Sequence, residues 1–125
     1  MSRRVLVVDD SGLARRRARG ILESAGFEVI EAEDGMAALE RYFVDKPDVV
    51  LLDLVMKGMY GLEVLTRLRE MDPAARVIVV SADVQTSSHE LVAQGGAAGF
   101  LVKPVDANEV LTLVRSTLGE APAWN

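Results

Sequence analysis

Uninterrupted apolar runs of strand length recur along the chain at residues 5–8, 49–52, 77–80 and 100–102, with a less regular one over 27–32. They are rich in β-branched residues and do not alternate with polar positions, as expected of strands covered on both faces of a parallel sheet. Between them the period changes to that of a helix. Ala14, Ala18, Ile21, Leu22 and Ala25 fall on one stripe, and Arg15, Arg16, Arg19 and Glu23 fall outside it. This predicts an amphipathic first helix, capped by Ser11 and closed by Gly26. Further helices are predicted over 35–45, 60–71, 86–94 and 108–118. Asp72-Pro73 stops the third, and Val110, Leu111, Val114 and Leu118 give the last its core stripe. Five strands alternating with five helices make an α/β domain, and right-handed crossovers make it a doubly wound parallel sheet. Strand order is not legible from periodicity. One domain over 1–119 is expected, followed by a short tail over 120–125 that carries Trp124.

The totals narrow the function classes. A chain of 125 residues, 50% hydrophobic and 26% charged, has the balance of an ordinary globular domain. Its net charge of -5 argues against a sequence-independent grip on nucleic acid, which needs surplus Lys and Arg. With no cysteine and a single histidine, His89, neither a disulfide framework nor a Cys- or multi-His metal site is open to it. The apolar run after Met1-Ser2-Arg3-Arg4 is too brief for a signal core or a membrane span, so a cytoplasmic protein without membrane contact is expected.

In open α/β sheets ligands bind beyond the carboxyl ends of the strands, so the residues that follow the apolar runs carry most of the information. They are Asp9 and Asp10, Asp53, Ser81 and Lys103. A single acid in such a place ordinarily starts a turn or caps a helix. Three carboxylates, a hydroxyl and an amine gathered at one edge suit work on a phosphoryl group. Crowded carboxylates repel unless a cation is supplied, and an all-oxygen set with room for water suits Mg²⁺ better than Ca²⁺. Three carboxylates, a divalent ion and Lys103 leave no net charge to repel an incoming phosphoryl group. The reaction this set supports is attack by a carboxylate on phosphorus, giving an aspartyl phosphate.

Together these residues resemble the receiver domains of bacterial two-component response regulators, of the single-domain chemotaxis type. The resemblance rests on Val7-Val8-Asp9-Asp10-Ser11 with Arg15 following, Val50-Leu51-Leu52-Asp53-Leu54-Val55-Met56 with Gly61 beyond, Val79-Val80-Ser81-Ala82, and Lys103-Pro104, over roughly residues 4–118. It implies a flavodoxin-like five-stranded sheet of order 2-1-3-4-5. It also implies that Asp53 is the phosphoacceptor and that Asp10, Asp53 and the Val55 carbonyl bind Mg²⁺, with Asp9 holding a metal-bound water. Lys103 and Ser81 would contact the phosphoryl group, and Ser81 and Phe100 would move together as the switch. Val55 and Asp83 would tune phosphate lifetime, with the apolar Val55 favouring slow self-dephosphorylation.

Such a protein is no enzyme beyond its own phosphorylation and dephosphorylation. Its implied partners are a sensor histidine kinase or phosphotransfer protein and a downstream protein effector. The effector would meet the face formed by the fourth helix, fifth strand and fifth helix, to which Thr86, Glu90, Gln94, Phe100 and Asp106 contribute. A monomer or weak phosphorylation-dependent dimer is expected, with no direct nucleic-acid contact. Lys57 replaces a proline common in the family, which implies a looser and more basic loop beyond Asp53. The arginines at 15, 16, 17 and 19 read as a solvated helix face, or as a kinase-docking surface. A nucleotide- or flavin-binding enzyme is disfavoured, because no glycine-rich phosphate loop follows the first strand. An aspartyl phosphatase is disfavoured because Asp53 lacks a second acid two residues on. A binding module that works without phosphorylation, or a receiver cut from a larger regulator, stays open.

Overall fold

A computed structural model describes residues 3–56, 58–82 and 86–120, with the side chains of 86–89 left out. Lys57, Asp83 and Trp124 lie outside the described residues, as do the side chains of Thr86 and His89. The elements run β1 Arg4–Val8, α1 Gly12–Ser24, β2 Glu28–Ala32, α2 Gly35–Asp45, β3 Val49–Asp53, α3 Gly61–Met71, β4 Val77–Ser81, α4 Thr86–Gln94, β5 Gly99–Val102 and α5 Ala107–Thr117.

The strands form one parallel sheet in the order β2-β1-β3-β4-β5, the order the resemblance implied. Strand side chains alternate between faces, and here both faces are apolar. Leu6, Val8, Val50, Leu52, Val77 and Val79 pack beneath α2, α3 and α4, whereas Val5, Val7, Val49, Leu51, Ile78 and Val80 pack beneath α1 and α5. This two-sided cover is why the runs of β1, β3 and β4 read as continuous. The edge strands differ, since Glu28 on β2 and Val102 on β5 are exposed.

Local chemistry sets the helix ends. The Ser11 hydroxyl accepts the Ala14 N–H at 3.2 Å, the Asp34 carboxylate accepts that of Ala37 at 2.8 Å, and the Asp106 carboxylate accepts that of Glu109 at 3.1 Å. Gly26 takes φ +92° just beyond α1, the left-handed turn that Gly accommodates without a Cβ clash. Helices α3 and α5 begin at Gly61 and Ala107, one residue away from their sequence-based starts, because Tyr60 and Asp106 occupy the extended cap positions.

The contrast between inward and outward leucines gives a direct check. Leu68 is fully buried between α3 and the sheet, whereas Leu13 on α1 is 74% exposed. Leu68→Ala is expected to lower unfolding free energy by about 2–5 kcal/mol and Leu13→Ala by less than about 0.5 kcal/mol. Urea midpoints at unchanged slope measure both.

Candidate functional site

Each strand of the central trio ends on a residue of the expected cluster. Asp9 follows β1, Asp53 is the last residue of β3, and Ser81 the last of β4; all three are buried. Asp10 follows Asp9 and is exposed, and Lys103 follows β5 and is half-buried. Because β1 and β3 are hydrogen-bonded neighbours, with Val8 opposite Leu52, the acids that follow them meet. One carboxylate oxygen from each of Asp9, Asp10 and Asp53 lies within 4.8 Å of the other two. The Lys103 ammonium reaches across from β5, with Nζ 2.9 Å from Asp9 Oδ2 and 3.4 Å from Asp53 Oδ2.

Backbone groups hold the acids in place. Asp9 Oδ1 accepts the Ser11 N–H at 2.9 Å, and Asp53 Oδ1 accepts a long bond from the Val55 N–H at 3.4 Å. The Lys103 N–H donates to the Ser81 carbonyl at 2.9 Å, which ties the lysine to the end of β4. A cleft of 420 Å³ opens beside these groups, lined by Asp9, Asp53 and Lys103 at its polar end and by side chains of α1 and the strands along its apolar wall.

Electrostatics sets the acids against one another. Burial, and then the charge of Asp9, push the Asp53 carboxyl up to about 6, against the pull of Lys103 and the Val55 N–H. Burial works against the Lys103 charge, but the Asp9 hydrogen bond and the charges of Asp53 and Asp9 outweigh it and raise its pKa. Two of the three clustered carboxylates, those of Asp9 and Asp53, thus share one ammonium. The donor set is all oxygen, so a hard divalent cation fits it.

Two residues have roles that the sequence motifs left unexplained. A Cβ on Gly61 would lie 2.6 Å from Asp53 O and 2.7 Å from Leu54 O, and the Gly61 N–H donates to that Leu54 carbonyl at 2.9 Å. The start of α3 therefore presses on the strand end that carries Asp53, an approach open only to glycine. Arg15 donates to the Asp9 carbonyl at 2.7 Å and to Glu31 at 3.0 Å, and Arg19 binds the other Glu31 oxygen at 2.7 Å. Arg17 donates to the Val105 carbonyl at 2.9 Å. Three of the four clustered arginines thus make contacts within the fold, while Arg16 and Arg17 remain exposed on the helix face. Of the remaining described candidates only Val55 adjoins the acids. Val55 is exposed beside Asp53, Phe100 is half-buried on β5 against the α4 layer, and Glu90 and Gln94 are exposed on α4.

Residues 5–115 match the family model described as "Response regulator receiver domain". The chain belongs to that family. The chemotaxis protein CheY of Bacillus subtilis is 40% identical over 119 residues, covering 94% of this chain and 99% of the relative. A protein-glutamate methylesterase/protein-glutamine glutaminase of Myxococcus xanthus is 48% identical over 104 residues, which cover 81% of this chain but only 30% of that protein. Among solved structures, the CheX-CheY-BeF3-Mg+2 complex from Borrelia burgdorferi matches with a TM-score of 0.87 at 37% identity, covering 91% of this chain and 87% of that one. The chain is therefore a CheY-like receiver domain of two-component signalling, a class whose members interact with histidine kinases and effectors. None of its described helices is long and apolar enough to cross a membrane.

Two outcomes follow from the site geometry. Gly61→Ala forces backbone to shift beneath Asp53 and is expected to cost about 1–3 kcal/mol, read as a lower urea midpoint. The second concerns pH. The folded pKa of Asp53, about 6, lies above the ordinary 3.8, so the folded state holds the proton more tightly. Stability therefore falls as pH rises from about 4 to about 6. In metal-free buffer at pH 7.5, Asp53→Asn is expected to be about 1–3 kcal/mol more stable than wild type, and the difference should vanish below about pH 4.

Proposed function

We propose that this receiver domain is a phosphorylation-dependent switch in which Asp53 accepts a phosphoryl group from the phosphohistidine of a sensor kinase or phosphotransfer protein. The observation that carries the reading is the placement of the Asp53 carboxylate, within 4.8 Å of two other acids and 3.4 Å from Lys103, at the carboxyl edge of the sheet. A buried acid with a pKa of about 6 is mostly ionised at neutral pH, so its oxygen is available as a nucleophile. An Asp53 carboxylate oxygen attacks phosphorus, a new O–P bond forms, the N–P bond to the donor imidazole breaks, and that imidazole keeps the electron pair and takes up a proton. Lys103 stabilises the charge on the phosphoryl oxygens, leaving Asp9 for the incoming group, and Ser81 donates a hydrogen bond to it. Asp10, Asp53 and the Val55 carbonyl would hold Mg²⁺ directly, with Asp9 acting through a water. Bound there, Mg²⁺ neutralises the acids and supplies Lewis-acid stabilisation of the transferring group.

Output follows from differential contact. The phosphoryl group favours the conformation in which Ser81 reaches it, and Phe100 turns inward behind Ser81 as that state fills. The altered face comprises α4, β5 and α5, where Leu91 and Val102 are exposed apolar groups open to an effector. The exposed side chain of Val55 has no polar atom with which to orient attacking water, so the aspartyl phosphate is long-lived. In this reading residues 1–119 act as the receiver unit in the cytoplasm, and the only chemistry catalysed is the protein's own phosphorylation and dephosphorylation. The B. burgdorferi complex, in which CheY is found with BeF3 and Mg+2, supports this use of the site.

The test is intact-mass measurement after incubation with acetyl phosphate. Wild type with Mg²⁺ is expected to gain one phosphoryl group, ~80 Da, whereas Asp53→Asn or wild type in EDTA gains none. Mg²⁺ alone should raise the melting temperature of wild type and leave that of Asp53→Asn nearly unmoved. Failure of the wild type to form an adduct from either acetyl phosphate or a phosphorylated histidine kinase would overturn the proposal in favour of a binding module that works without phosphorylation.

A further inference from the structure

Helix α2 presents apolar residues to solvent as well as to the core. Ala38 and Tyr42 face inward and are buried, whereas Met36 is 66%, Phe43 72% and Val44 60% exposed. Counted from Met36, the exposed positions are i+4, i+7 and i+8, namely Glu40, Phe43 and Val44, and Leu39 at i+3 is half-buried against the core at the edge of the stripe. These form a single stripe on the helix. Leu39 then leads into a groove of about 500 Å³ between α2 and α3, whose far wall includes Met71, itself 45% exposed. Large apolar groups gathered on one face mark an interaction surface more strongly than the same groups scattered singly.

Acids outnumber cations along the stripe and groove, with Arg41 paired to Asp45 and Lys46 exposed at the C-terminal end of α2. Exposed Glu40 lies within it, and Glu63 and Glu70 line the groove. The one cation among the groove's lining residues, Arg67, is engaged by Glu63 at 3.2 Å. The face is therefore mainly apolar, with Glu40 set within it and Glu70 at the groove. A two-fold dimer centred on the stripe would set Glu40 against the Glu40 of a second copy, a like-charge contact that disfavours self-association.

We propose that the outward face of α2, continued by the α2/α3 groove, docks a short amphipathic helix of a partner protein, with one apolar stripe flanked by lysine or arginine. The mode is helix-in-groove, in which anchors at i, i+3, i+4 and i+7 supply affinity and the basic flanks supply orientation. Helix α2 packs over β2 and β1, at the opposite edge of the sheet from β5, so a docked helix leaves the acidic cluster and the α4, β5, α5 face open. The surface thus provides a tether that can be held while the switch turns over.

The probe is a labelled helical peptide of about 18 residues, roughly five turns, with leucine at the anchor spacing and lysine flanks, compared with a version carrying glutamate flanks. Backbone amide NMR titration of the full chain reads the site and fluorescence anisotropy reads the affinity. The lysine peptide is expected to bind at least about tenfold more tightly than the glutamate peptide, with shifts centred on α2 and the C-terminal half of α3. Phe43→Ser, an exposed substitution whose fold is checked by thermal melting, should weaken it by about tenfold. Glu40→Lys combined with Glu70→Lys should reverse the preference between the two peptides. Equal affinity for both, no binding of either, or shifts centred on α4 and β5 would overturn the proposal. So would light-scattering evidence of a dimer that Phe43→Ser abolishes, since that would assign the face to a second copy.

Discussion

The structure is organised around a crowding of charge at the carboxyl edge of the sheet. Asp9 and Asp53 are buried side by side with Lys103 between them, and Asp10 completes the cluster from the solvent side. Burial, joined by repulsion from Asp9, raises the Asp53 carboxyl to about 6, and Lys103 offsets only part of that. Such an arrangement costs stability in the free protein and persists only because the surrounding fold holds it. The same strain makes the site responsive, since a cation or a phosphoryl group changes its balance by more than an ordinary surface site would feel.

The rest of the fold holds the acids together. The β2-β1-β3-β4-β5 order sets β1 beside β3 and so brings Asp9 and Asp53 to one point. Apolar cover on both faces fixes the register of β1, β3 and β4, and a one-residue slip would exchange the two core layers. Around the edge, Arg15 ties the Asp9 backbone to Glu31 on β2, the Lys103 N–H ties β5 to Ser81, and Gly61 lets α3 begin directly against the Asp53 strand end. Arg15 to Glu31 and Lys103 to Ser81 join separate elements, whereas Gly61 acts between the consecutive β3 and α3, so the site depends on the packed sheet as well as on the loops at its edge.

Much of this was legible in the sequence because a doubly wound sheet writes its pattern plainly. The apolar runs marked the strands, the change of period marked the helices, and the polar residues after the runs marked the cluster. Strand order came through family resemblance, because periodicity does not distinguish neighbours. The role of Gly61 was hidden because it depends on a backbone approach between β3 and α3. The pairing of Arg15 and Arg19 with Glu31 was hidden because it requires β2 to lie beside β1. The outward apolar stripe of α2 escaped notice for another reason. The sequence predicts a helix over 35–45 without dividing its faces, and Met36, Phe43 and Val44 fall on the opposite side from Ala38 and Tyr42.

The most direct test of the central claim is the titration of the Asp53 carboxyl itself, followed by carbon-detected NMR on selectively labelled protein with and without Mg²⁺. The account predicts a midpoint near 6 in metal-free buffer and a marked downward shift when Mg²⁺ is added, because bound cation and proton compete for the same oxygens. A midpoint in the ordinary carboxylate range, unmoved by Mg²⁺, would contradict it. The acids would then be neither crowded nor shared, and the charge balance on which the switch reading rests would be absent.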